Sequence, residues 1–185
     1  SHQPGQIEWP QGPPDAATDF VTISSNALPG AAGFSNQITK SDHSGLNEVV
    51  LFVHGYNYTH GEAIYQLAQI KHDLEIPSPT VLFSWPSVSK AAGYLYDRDS
   101  VLIARDALED VIVALARTPN QKIVLAGHSM GTFLLMETLR QIEISQSLDI
   151  NSKIGGVFLF SPDIDGELFQ AQAARLKTLP DPFVI

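Results

Sequence analysis

No cysteine occurs among the 185 residues, which excludes disulfides, thiolate chemistry and cysteine-bearing zinc sites and leaves the redox compartment open. Basic residues are scarce: eleven Lys and Arg stand against twenty Asp and Glu, a formal net charge of −9. Nucleic-acid binding relies on clustered Lys and Arg at the phosphates, so no nucleic-acid partner is expected. Long apolar runs are missing too. The longest, such as Val157–Phe160, fall far short of the roughly 20 residues a membrane-spanning helix requires. No segment reads as a signal peptide. Histidines and carboxylates nowhere show the spacing of metal ligands, so neither a metal nor a cofactor is expected. The chain opens Ser1-His2 without a methionine; a natural start upstream is expected, and the compartment, cytoplasmic or exported, is left open.

What is present suits one domain with a sizeable core: 44% of residues are hydrophobic and 17% charged. Residues 1–45 are rich in Pro, Gly, Ser, Gln and Asn and read as an arm, with Asp19–Ser24 as a possible edge strand and no clear helix after Gly30-Ala-Ala-Gly33. Residues 46–185 read as the main domain. There Val49–Val53, Thr80–Ser84, Lys122–Ala126 and Ile154–Phe160 are short apolar runs of the kind buried on both faces of a parallel sheet. Helical patterns separate them. Thr59-His-Gly-Glu62 has capping-box spacing ahead of a helix carrying Ile64, Leu67, Ala68 and Leu74. A loop with Tyr94 and Tyr96 leads to a long helix capped by Asp97 or Asp99, with Val101, Ala104, Leu108, Val111, Ile112 and Leu115 on one stripe. The helix from Gly131 to about Ile142 is apolar nearly all round and must be buried. This alternation predicts an α/β fold: a mostly parallel sheet, right-handed crossovers and helices on both faces. Ligands of such sheets bind beyond the carboxyl ends of the strands, the edge that holds His54–Asn57, Trp85, Ser129 and Ser161–Asp165.

Ser129 is the focus of that edge. It lies in Gly127-His-Ser-Met-Gly131, a Gly-x-Ser-x-Gly pentapeptide between a strand and a helix. A chain that passes from strand to helix without a loop forces its apex residue into a sparsely populated backbone region, at a cost of roughly 1–3 kcal/mol. Glycines on either side avoid collisions at so sharp a corner. The serine hydroxyl is held clear of the sheet, and the helix amino end offers unpaired N–H groups to an anion. These features suit attack on an acyl carbon.

Val53-His-Gly-Tyr-Asn57, Leu82-Phe-Ser-Trp-Pro-Ser87, the Tyr94–Arg98 segment, Gly127–Gly131 and Ser161-Pro-Asp-Ile-Asp165, in this order, resemble a largely uncharacterised bacterial family of α/β-hydrolases. The resemblance implies the α/β-hydrolase fold and a serine hydrolase, of esterase type, that acts on a small-molecule acyl substrate through an acyl-enzyme at Ser129. It implies an oxyanion hole built from the backbone N–H groups of Met130 and Tyr56, each such donor being typically worth about 3–4 kcal/mol. The His54 imidazole is expected to be tied to backbone. Trp85 would wall the substrate cleft, with Tyr94 and Tyr96 beside it; ordinary packing of these aromatics is the alternative.

A serine nucleophile also needs a base and an acid, which in this superfamily follow it in the order Ser, acid, His. No histidine lies downstream of Ser129, and Ile185 falls inside the strand that would precede the usual acid. Truncation before the last strands is therefore expected. Of the residues present, Asp163 is the candidate acid, in competition with capping a helix at 166; His60 is a candidate base on the rim, and His128 should point away from the hydroxyl. One rival reading is a catalytically inactive binding or scaffold protein of this fold that lacks a catalytic histidine. Another is a lyase or acyltransferase on the same scaffold. A truncated sheet would leave the strand at Pro182–Ile185 on an edge, so self-association through it is expected.

Overall fold

Five strands form one parallel sheet: β1 (Glu48–Val53), β2 (Thr80–Phe83), β3 (Lys122–His128), β4 (Ile154–Phe160) and β5 (Phe183–Val184), in the spatial order β2-β1-β3-β4-β5. The structure is a computed structural model and describes residues 12–88 and 93–185; the part of the expected arm at positions 1–11 lies outside the described residues. Register sets the site. Val53 pairs with Gly127, Gly127 with Leu159 and His128 with Phe160, which brings the carboxyl ends of the three central strands level.

Helices cover the two faces unequally. One face, presenting Val49, Leu51, Val53, Ile123, Leu125, Val157 and Leu159, packs under α3 (Tyr94–Ala116) and α4 (Met130–Ser145). Each fully buried aliphatic side chain there contributes about 1.5–3 kcal/mol. The expected stripe of α3 is buried at Val101, Ala104, Leu108, Ile112 and Leu115, and α4 is buried continuously from Met130 to Leu139. The other face, with Val50, Phe52 and Ala126, packs against α2 (His60–Asp73). Short helices α5 (Ile150–Lys153) and α6 (Gly166–Ala173) flank β4.

Several local expectations change. Asp19–Ser24 forms no strand, and a helix, α1 (Gly30–Ser41), follows Pro29 where none was expected. Its Ile38 and Phe34 join the core beneath α3, so tertiary burial supplies what the sequence pattern lacks. Tyr94 and Tyr96 lie in the first turn of α3 and not in a loop. Neither Asp97 nor Asp99 caps that helix. Asp97 is buried instead, accepting hydrogen bonds from Ser87 Oγ at 2.7 Å and Val88 N–H at 2.9 Å, which ties the segment after β2 to α3. In α2 the capping box forms as read: Glu62 N–H donates to Thr59 Oγ1 at 3.2 Å and Thr59 N–H to Glu62 Oε2 at 2.7 Å. Its buried face, however, is Ala63, Gln66, Leu67 and Gln69, with Ile64 and Leu74 exposed.

Candidate active site

The corner between β3 and α4 is as tight as the sequence implies. Ser129 has φ 49° and ψ −124°, a region that an L-residue occupies only when its surroundings hold it there. Four hydrogen bonds do so. Ser129 N–H donates to Phe160 O at 3.0 Å, while Ser129 O accepts from Thr132 N–H at 2.9 Å, Thr132 Oγ1 at 2.6 Å and Asp163 N–H at 3.4 Å. A Cβ at Gly131 would overlap the carbonyl oxygens of Val53 and His54, and one at Gly127 would come within 2.8 Å of Leu135 Cδ1. A Cβ at Gly55 would stand 3.0 Å from Ser129 Cβ and 2.7 Å from His128 Nδ1. The turn after β1 therefore lies directly against the serine.

His54 braces that turn. It is 1% exposed; its Nδ1–H donates to Gly55 O at 2.9 Å, and its Nε2 accepts from Trp85 N–H at 3.2 Å. This pairing defines the Nδ1-protonated tautomer. Burial holds the imidazole below its ordinary pKa, partly offset by those backbone contacts. The Trp85 indole stacks flat on the ring, centroids 5.2 Å apart and planes within 7°, and its Nε1–H donates to His54 O at 2.9 Å. Trp85 is buried, with 2% of its surface exposed. Substrate contact by its indole would need the ring to leave the core.

Tyr94 and Asp163 meet in front of the serine corner. Tyr94 Oη donates to the carboxylate of Asp163 at 2.9 and 3.2 Å, and its ring stands edge-on to Tyr56 with centroids 5.4 Å apart. Burial and the carboxylate together hold the phenol above its usual pKa, so it is a donor at neutral pH. Tyr96, two residues on, is 64% exposed and has no described hydrogen bond. The cap of α6 belongs to Asp165, whose Oδ1 accepts from Glu167 N–H and Leu168 N–H at 2.9 and 3.1 Å. Asp163 is thus relieved of the capping use that competed for it.

Residues 31–185 match the family described as alpha/beta hydrolase of unknown function (DUF900). The chain belongs to this family. No curated protein sequence matches it. Among solved structures, it is similar to a type II thioesterase from the yersiniabactin NRPS/PKS biosynthetic pathway (YbtT, a serine-to-alanine mutant), with a TM-score of 0.42 and 15% identity over 75% of this chain and 56% of that one. It is also similar to phospholipase PlaB from Legionella pneumophila, with a TM-score of 0.30 and 18% identity over 62% of this chain and 25% of that one. The chain therefore spans about half the length of the first structure and a quarter of the second.

No described histidine shares a hydrogen bond with Ser129. His60 opens α2 on the exposed rim, and His54 is committed to backbone. His128 turns its ring toward Tyr58, centroids 6.1 Å apart, with Nδ1 buried and unpaired; burial lowers its pKa. Among the described residues no group of His, Asp and Glu is arranged to hold a metal, and no helix is long and apolar enough to cross a membrane. Two residues of the corner escaped the sequence reading. Thr132 is fully buried and carries the shortest bond to Ser129 O; its one signal was a polar residue in the first turn of an otherwise apolar helix. Gly55 shows in the sequence only as part of the turn after His54, with no sign of its approach to Ser129.

Proposed function

We propose that this α/β-hydrolase is a serine hydrolase acting on carboxylic esters through an acyl-enzyme at Ser129. The observation that carries the reading is the backbone of Ser129, held at positive φ between strand and helix by Phe160, Thr132 and Asp163. Strain of this kind, about 1–3 kcal/mol, persists where a side chain must be presented in one orientation. Ser129 Oγ attacks the acyl carbon, the carbonyl oxygen becomes an oxyanion, and the alcohol leaves with a proton. Water then releases the acid. The N–H of Met130, at the amino end of α4, and that of Tyr56, beside the Gly55 contact, are the donors proposed for the oxyanion. Asp163 is the acid proposed from among the described residues, its carboxylate kept in place by Tyr94.

The proton of Ser129 Oγ requires a base, and the absence of a histidine bonded to it among the described residues favours a second reading. In that reading the protein keeps the fold and the corner but binds without turning over. Ester hydrolysis separates the two. Incubation with a short-chain aryl ester should release the phenol and, on acid quench, leave an acyl adduct on the peptide containing Ser129; Ser129→Ala should do neither. Binding of the ester without phenol release or adduct would favour the non-catalytic protein.

A further inference from the structure

We infer that Tyr94 is a positioning residue that holds together the two turns flanking Ser129. The inference rests on the reading of Ser129 as nucleophile for its consequence in catalysis, but its structural content stands on separate contacts. Two chain segments far apart in sequence converge on this one side chain. Its hydroxyl donates to both carboxylate oxygens of Asp163, 69 residues away, at 2.9 and 3.2 Å. Its ring edge packs on Tyr56, the residue after the Gly55 contact, at 5.4 Å and 77°. Asp163 in turn donates its own N–H to Ser129 O at 3.4 Å.

The two ties differ in kind. A phenol donating to a carboxylate is a charge-assisted bond, stronger than a neutral one, whereas the ring contact is an edge-to-face aromatic pair that needs no hydroxyl. Asp163 has no capping duty, since Asp165 takes the α6 amino end. The Tyr94 hydroxyl therefore ties down the Asp163 turn beside that turn's own N–H bond to Ser129 O, and the Tyr94 ring packs on the Tyr56 turn from the same side. Tyr94 begins α3, and the burial of Asp97 three residues on, with its bonds to Ser87 and Val88, anchors that first turn. The strut thus stands on a fixed base. Its role in turnover is to hold Tyr56 N–H and the Ser129 peptide in register, with no contact to the reacting atoms.

Separating hydroxyl from ring gives the test. Hydrogen exchange is measured on the intact protein, on Tyr94→Phe and on Tyr94→Ala, with β3 peptides as an internal control. In Tyr94→Phe, exchange across 161–165 should quicken about tenfold, as expected for loss of one charge-assisted bond to a local turn, while 54–58 stays unchanged. In Tyr94→Ala both segments should quicken, with β3 unaltered. If the intact protein hydrolyses an ester, Tyr94→Phe should lower kcat with KM held, a split that loss of a ground-state substrate contact would not give. Unchanged exchange at 161–165 in Tyr94→Phe overturns the inference, whatever the activity. If the intact protein hydrolyses nothing, the nucleophile reading fails on its own and the exchange pattern still decides the strut.

Discussion

At Gly131 a single methyl group decides whether the corner can form. The Cβ of an alanine would meet Val53 O and His54 O, both backbone atoms of the central sheet that have no rotamer with which to yield. Gly131→Ala should therefore cost about 3 kcal/mol by overpacking. Gly61, in the first turn of α2, has nothing within 4 Å of the same added atom and no positive φ. There the substitution should stabilise by about 0.5–1 kcal/mol, because alanine loses less backbone entropy on folding. Opposite shifts in urea midpoint check the pair; equal shifts would mean that the close approach at Gly131 is not real. His54 adds a pH dependence of known sign. Its folded-state pKa lies below that of an ordinary histidine because it is buried, so between the two values the unfolded chain binds more protons. Stability should fall as pH drops through that window, and His128, also lowered by burial, contributes in the same direction. Replacing His54 with Asn should flatten the pH slope of the urea midpoint while lowering stability at neutral pH; an unchanged slope would contradict the burial argument.

Among the elements, what could be read from the sequence was what is local in the chain. The Thr59–Glu62 capping box closes within four residues, the strands are continuous apolar runs, and the Ser129 corner is spelled in five positions. What escaped depends on partners that only the fold supplies. The start of α3 is set by Asp97 reaching back ten residues to Ser87 and nine to Val88, so an acid with cap spacing served burial instead. The inward face of α2 includes Gln66, whose Nε2 donates to Tyr58 Oη at 3.1 Å, while Ile64 is exposed. Trp85 spans 31 residues to stack on His54, a partner that hydrophobicity alone could not show. Asp97→Ala should therefore cost more than loss of a surface carboxylate, about 2–3 kcal/mol, because Ser87 Oγ and Val88 N–H lose a charged acceptor. Urea denaturation reads this, and a cost under about 0.5 kcal/mol, the ordinary surface range, would show that the contact does not anchor α3.

Across the whole molecule the two faces of the sheet are unequal, and so are its edges. Beside α2, an apolar groove of about 410 Å³ runs over Phe52, Val124, Ala126 and Phe158 to Phe160 and Pro182. It leads to β5, the last strand in the sheet order, where Val184 and Ile185 are exposed. Edge strands bearing apolar side chains invite pairing with another chain. The 185-residue chain should self-associate with rising concentration in light scattering, and Val184→Lys should weaken this; a monomer at all concentrations would count against pairing through β5. The α/β-hydrolase architecture explains why the chemistry gathers at one end: in a parallel sheet each strand delivers its following turn to the same edge, here His54-Gly55, Ser129 and Ser161–Asp165. The central claim, that the edge presents Ser129 as a nucleophile, is tested most directly by fluorophosphonate labelling read by intact mass. The account predicts one adduct on the protein and none on Ser129→Ala. An unlabelled protein, or an adduct that survives the alanine substitution, would contradict it.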